Sequence, residues 1–115
     1  MSVAEKYFTS IETRLFEEDR KALLSDDEYQ AFQTYLLANY DKGDVITQTG
    51  GCRKICWKLS SNKKGKSGGV RVIYYVLTQQ GKLYLLVMYP KNVKDNLTEK
   101  EKSQLKEIVE QLRKE

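Results

Sequence analysis

The sequence predicts an α+β fold built on a small, mainly antiparallel sheet, and three observations carry that prediction. Two capping boxes, Ser25 with Glu28 and Thr98 with Glu101, each open a run whose apolar residues recur at helical spacing. Between those runs lie three segments rich in β-branched and aromatic residues, separated by Gly-containing turns, which read as an antiparallel meander. The 115-residue chain, with 40% hydrophobic residues, suffices for one compact core, so residues 1–115 are taken as one domain.

In chain order, residues 7–12 (YFTSIE) partly alternate and form a short first strand. Residues 14–24 place Leu15, Phe16, Leu23 and Leu24 near helical spacing among charges, as a short amphipathic helix does. The helix opened by Ser25 puts Tyr29, Phe32, Leu36 and Leu37 on one face and ends near Asn39, before the Asp41-Lys42-Gly43-Asp44 turn. Residues 52–59 alternate, with Ile55, Trp57 and Leu59 facing the core and Lys54, Cys56 and Lys58 facing the other way. A loop over residues 60–69 leads into a second strand, residues 70–78. Gln79-Gln80-Gly81 then turns the chain into a third strand, residues 82–89. The last helix carries Leu105, Ile108, Val109 and Leu112 on its apolar face.

Charge is strongly segregated along this frame. Residues 45–94 hold ten Lys or Arg and no Asp or Glu, whereas residues 1–44 hold five basic and ten acidic groups. Solvated surfaces normally mix signs, so a stretch of one sign points to a polyanionic partner. Eight Tyr against three Phe and one Trp leave much of the aromatic surface with a hydroxyl that wants a partner.

Several chemistries are excluded by what the residues lack. There is no His, and two cysteines spaced i,i+4 on a strand lie about 13 Å apart, too far to bridge and too few to hold zinc. The GKS at residues 65–67 suggests a phosphate loop, but Ser60 stands where that motif needs Gly, and the loop joins two strands instead of a strand and a helix. No metal and no cofactor is expected. The longest apolar run, residues 83–89, is too short to span a membrane, and MSVAEKYF lacks the features of a signal peptide, so a soluble, cytoplasmic protein is expected.

What remains is positive charge on an ordered surface. Lys54 shares a strand face with Lys58, Arg71 opens the next strand with Tyr75 on its side, and Lys91 follows the third strand at the sheet's rim. Lys and Arg so placed can stabilise the charge that builds on phosphate oxygens, and in RNA the adjacent 2′-hydroxyl can serve as nucleophile. The loop NKKGKSGG adds flexible ammonium groups suited to a nucleic-acid backbone.

The ordered series GDVI at 43–46, TGGCRKICW at 49–57, GKSGGVRVIYY at 65–75 and LLVMYPKN at 85–92 resembles the RelE/HigB branch of toxins from bacterial type II toxin-antitoxin systems. The resemblance spans residues 27–105. It implies a sheet with helices packed on one face and an active site on the other. It also implies metal-independent cleavage of mRNA in the ribosomal A site, which inhibits translation, and a small cognate antitoxin, often with a helix-turn-helix domain. The family's catalytic basic residues map onto Lys54, Arg71 and Lys91; Arg53, Lys58, Lys64 and Lys66 are expected to bind RNA. The chain departs from the pattern at Cys56, where a second basic residue is expected, and at Cys52, which replaces a usual Leu.

Two other readings share the fold: a non-catalytic protein that grips RNA or the ribosome with the same basic face, and a ParE-like inhibitor of DNA gyrase. Fold alone does not choose among them.

Overall fold

The computed structural model describes residues 9–58, 69–91 and 96–114. Strand β1 (Thr9–Glu12) is followed by helices α1 (Arg14–Leu23) and α2 (Asp26–Ala38), a two-residue strand β2 (Asp44–Val45), strands β3 (Arg53–Lys58), β4 (Gly69–Leu77) and β5 (Lys82–Pro90), and helix α3 (Glu99–Lys114). The five strands form one sheet in the order β1-β5-β4-β3-β2. The meander β3-β4-β5 is antiparallel as expected, and β2 adds to it antiparallel. The short first strand exists, but β1 pairs with β5 in parallel, which the local sequence does not announce. Residues 7 and 8 of that expected strand, and the loop with Leu59, Lys64 and Lys66, lie outside the described residues.

Each helix starts where its cap dictates. The Thr13 hydroxyl accepts from Phe16 N at 3.1 Å and donates to Leu86 O at 3.0 Å, so one side chain both caps α1 and ties it to β5. Ser25 Oγ accepts from Glu28 N at 3.2 Å to open α2. At α3 the capping box is reciprocal: Glu101 N donates to Thr98 Oγ1 at 3.1 Å, and Thr98 N to Glu101 Oε1 at 2.9 Å.

Strand parity divides the core in two. One face of the sheet offers Val70, Val72, Tyr74, Leu83, Leu85 and Met88 to Phe16 of α1 and to Tyr29, Phe32 and Leu36 of α2. Truncating such a side chain costs about 3–5 kcal/mol for an aromatic like Phe32, which is fully buried. The other face offers Ile73, Tyr75, Tyr84 and Leu86 to Leu105 and Val109 of α3. Helices packed on one face therefore describes α1 and α2, while α3 crosses the opposite face. The physical reason is in β4, where Val72, Ile73, Tyr74 and Tyr75 are all buried, so both sides of the strand need a cover.

Helix α3 is fastened at one end of its face. Arg113 Nε donates to the Tyr75 hydroxyl at 3.0 Å, and Gly50, with φ +81°, lies so close to the helix that a Cβ would stand 3.2 Å from Val109 Cγ1. The part of this face nearer the start of β4 and the end of β5 is left for other use.

Candidate functional site

The open part of the α3 face is built on three strands. In the sheet register Cys56 of β3 stands opposite Arg71 of β4, and Arg71 opposite Tyr89 of β5. One row inward, Lys54 pairs with Ile73 on one side and with Asp44 of β2 on the other. One row outward, Lys58 pairs with Gly69, whose carbonyl accepts from Lys91 N at 3.0 Å. Lys58 and Lys91 therefore flank a glycine at the rim, with no side chain between them.

Tyr89 reaches this face because of a bulge. Tyr74 pairs with Leu85, but Ile73 pairs with Val87, so Leu86 is an extra residue in β5. The insertion puts Leu86 and Val87 both toward α3 and flips the parity of residues 88–90; without it Tyr89 would point into the α1/α2 core.

Two clefts meet at Lys54. One, of about 360 Å³, is lined by Lys42, Asp44, Lys54, Cys56 and Arg71. The other, of about 220 Å³, is lined by Lys54 together with Val45, Ile46, Tyr89, Asn96, Leu97 and Lys102. The Arg71 guanidinium lies near the Tyr89 hydroxyl, its cross-strand neighbour. Burial raises the Tyr89 phenol above its ordinary value, the Arg71 guanidinium opposes that shift, and Glu101 and Cys56 reinforce it. The phenol is therefore neutral at physiological pH, beside the Arg71 guanidinium.

The wall of the first cleft is pinned from beneath. The Tyr74 hydroxyl accepts from Gly43 N at 3.2 Å and donates to Tyr40 O at 2.8 Å, crossing from the core to the turn that carries Lys42 and Asp44. Gly43 packs so closely that a Cβ would collide with the Tyr74 hydroxyl and stand 2.9 Å from Lys54 O. Arg53 NH1 completes the clamp, donating to Gly43 O at 2.7 Å and Asp41 O at 3.2 Å.

The expected residues thus separate. Lys54 and Arg71 are brought into one cleft, and Lys58 and Lys91 lie at its rim. Arg53 is not brought there: it points to the opposite face, as its parity with Ile55 and Trp57 requires, and its guanidinium is engaged with backbone carbonyls. Lys64 and Lys66 fall outside the described residues. Lys42, Asp44, Tyr89, Asn96 and Lys102 join the two clefts unannounced by the sequence. Cross-strand placement of Lys42 and Asp44 needs β2, and that of Tyr89 needs the bulge; neither leaves a local signal.

The cysteines have different surroundings. Cys52 is buried beneath α3, where its N–H donates to Thr49 Oγ1 at 3.0 Å, and burial pushes its thiol up to about 11. Cys56 is exposed in the first cleft. Among the described residues no group of three or more His, Cys, Asp or Glu is placed to hold a metal ion, and no helix is long and apolar enough to cross a membrane.

Residues 37–115 match the family model described as the RelE toxin of the RelE/RelB toxin-antitoxin system. Among solved structures, the chain is similar to a doubly substituted E. coli toxin RelE in the free state, with 18% identity, a TM-score of 0.52, and coverage of 79% of this chain and 90% of that one. It is likewise similar to the intact E. coli RelBE toxin-antitoxin complex, with 17% identity, a TM-score of 0.51, and coverage of 71% and 93%. These two likenesses concern the fold.

Proposed function

The chain belongs to the RelE toxin family, and from that premise we propose that it is a metal-independent endoribonuclease that cleaves mRNA in the ribosomal A site and so inhibits translation. The observation that carries this reading is that Lys54 and Arg71, from adjacent strands, line one cleft whose wall also holds Lys42. A phosphodiester seated there has cations beside it. The 2′-hydroxyl attacks the neighbouring phosphorus, the P–O5′ bond breaks, and the products are a 2′,3′-cyclic phosphate and a 5′-hydroxyl. Arg71, with Tyr89 opposite it in the sheet, stabilises the charge gained by the non-bridging oxygens. Lys54 adds to that stabilisation or moves a proton, and Lys58 and Lys91 hold the flanking backbone. Lys91 stands at the rim of the cleft, and Lys64 and Lys66 are assigned to RNA binding.

The partners implied are the ribosome with its mRNA, and a small cognate antitoxin, as the RelE of the RelBE complex has RelB. Action on ribosomes places the protein in the cytoplasm. Cys56 favours a second reading, a non-catalytic grip on RNA, because a neutral thiol stands in the cleft where the family pattern expects a cation.

Expression of the chain without an antitoxin, with mapping of mRNA 5′ ends, separates the readings. Cleavage within codons is expected, and Arg71→Ala should reduce it about 10²–10³-fold, the usual cost of one transition-state donor. Growth arrest without new mRNA ends would favour the non-catalytic or gyrase-directed reading, and full cleavage by both Lys54→Ala and Arg71→Ala would refute the assigned site.

A further inference from the structure

Residues 45–94 carry no carboxylate, and Asp44 is the residue immediately before that stretch. The fold brings it back among the cations. Strand β2 pairs Asp44 directly with Lys54, which sets the two side chains on one face with Cβ atoms about 5 Å apart. Asp44 thereby lines the cleft that holds Lys42, Lys54, Cys56 and Arg71. Among the described residues of that cleft it is the sole carboxylate; it is exposed, and among the described residues it forms no ion pair. A carboxylate repels a phosphate, so the binding of RNA gives no reason for its place there. We infer that Asp44 is the general base of the cleavage and accepts the proton of the attacking 2′-hydroxyl. The inference rests on the RNA-cleaving function and fills a role that the cations cannot, because a protonated Lys or Arg side chain has no lone pair to offer a proton.

The sheet order supports this division of labour. Strand β3 lies between β2 and β4, so Asp44 and Arg71 flank it on opposite sides, two strand spacings or about 10 Å across the sheet. A nucleotide laid over β3 has its phosphate beside Arg71 and Lys54 and its ribose toward Asp44. The carboxylate is also carried on an anchored peptide. Gly43 N donates to the Tyr74 hydroxyl at 3.2 Å, and Gly43 O accepts from Arg53 NH1 at 2.7 Å, so one bond from the core and one from β3 fix the backbone from which Asp44 projects. A base held within hydrogen-bond reach of its proton gains from such a frame. In the step itself the 2′-hydroxyl proton passes to the Asp44 carboxylate as the O2′–P bond forms. The P–O5′ bond breaks, the 5′-oxygen takes a proton from solvent water, and the Asp44 proton returns to solvent, so the transfers balance. Lys54 then stays protonated and stabilises charge.

The test uses the whole chain with its Asp44→Asn and Asp44→Glu variants; Asp44 is exposed, so circular dichroism should show both folded. Single-turnover cleavage is measured on programmed ribosomes, and binding on the same ribosomes carrying an mRNA that is 2′-deoxy at the scissile nucleotide and so cannot be cleaved. Asp44→Asn keeps the size but takes no proton. It should lower the saturated cleavage rate about 10²–10⁴-fold, the usual contribution of a general base, while binding the 2′-deoxy mRNA complex as tightly as the wild type or more tightly. Hydroxide must then replace the missing base, so the residual rate of Asp44→Asn should climb about tenfold per pH unit, more steeply than that of the wild type. Asp44→Glu, which keeps the carboxylate, should recover at least about tenfold over Asp44→Asn. If Asp44→Asn cleaves within about threefold of the wild type, or if its loss is one of binding, Asp44 is not the base and the ribonuclease reading stands. If the wild type itself yields no new mRNA ends, the ribonuclease reading falls and the base assignment falls with it.

Discussion

Replacing Cys56 by Arg tests the charge logic of the cleft in the direction of gain. Cys56 is exposed, lies directly across from Arg71, and lines the same cavity as Lys54. A second guanidinium there would face the first across one strand pair. Without RNA the two like charges repel, which should lower folding stability by about 0.2–1 kcal/mol. With RNA, a guanidinium about 4 Å from a phosphate is worth about 1 kcal/mol in water and about 4 kcal/mol at the effective dielectric of a protein surface. Part of that attraction already acts on the ground state, so the gain in kcat/KM should be about tenfold, equivalent to about 1.4 kcal/mol. One additional phosphate contact should also steepen the dependence of log K on log salt by about 0.7. Single-turnover cleavage on programmed ribosomes, a salt titration of RNA binding and urea unfolding measure the three quantities. Cys56→Gln, which adds length without charge, should show no gain. Unchanged cleavage and an unchanged salt slope in a folded Cys56→Arg variant would mean that the phosphate does not sit between residues 56 and 71, and the charge argument would be refuted.

Other perturbations probe the frame around the cleft. Gly43→Ala should destabilise the protein by about 1–3 kcal/mol in urea unfolding, because its Cβ meets Tyr74 and Lys54 O in a packed site. Combining it with Tyr74→Phe should cost less than the sum of the two, since the hydroxyl is the first atom in the way. Between pH 9 and 11 the protein should lose about 2–3 kcal/mol through Cys52, whose thiol ionises near 9 in the unfolded chain and only near 11 when buried. The folded state holds that proton longer, so its contribution is complete below pH 9 and vanishes as pH climbs; Cys52→Ala should flatten this part of the profile relative to the wild type.

The helices are legible in the sequence because their signals are local: Ser25 and Thr98 open α2 and α3 where their capping boxes stand. The alternation of residues 53–58 likewise puts Lys54 and Cys56 on one face and Trp57 on the other. Parity also separates Arg53, expected to bind RNA, from Lys54: its guanidinium is held by the Asp41 and Gly43 carbonyls on the opposite face. What the sequence leaves unread depends on distant partners. Nothing near Thr9–Glu12 announces a parallel neighbour in β5, and no residue around Leu86 advertises the bulge that turns Tyr89 toward Arg71. The place of α3 did leave a trace: Val72 to Tyr75 is apolar at every position, the mark of a strand covered on both sides.

The parallel pairing of β1 with β5 bears on when the protein becomes dangerous to the cell that makes it. Strand β5 lies between β1 and β4 in the sheet, about seventy residues after β1 in the chain. At a synthesis rate of about 5–20 residues per second, β1 waits roughly 4–14 s for its neighbour. Until β5 emerges, Arg71 has no Tyr89 beside it and α3 has no surface to cover. A nascent chain thus carries its basic residues without the cleft that organises them, and assembly of the site becomes one of the last events of its own translation.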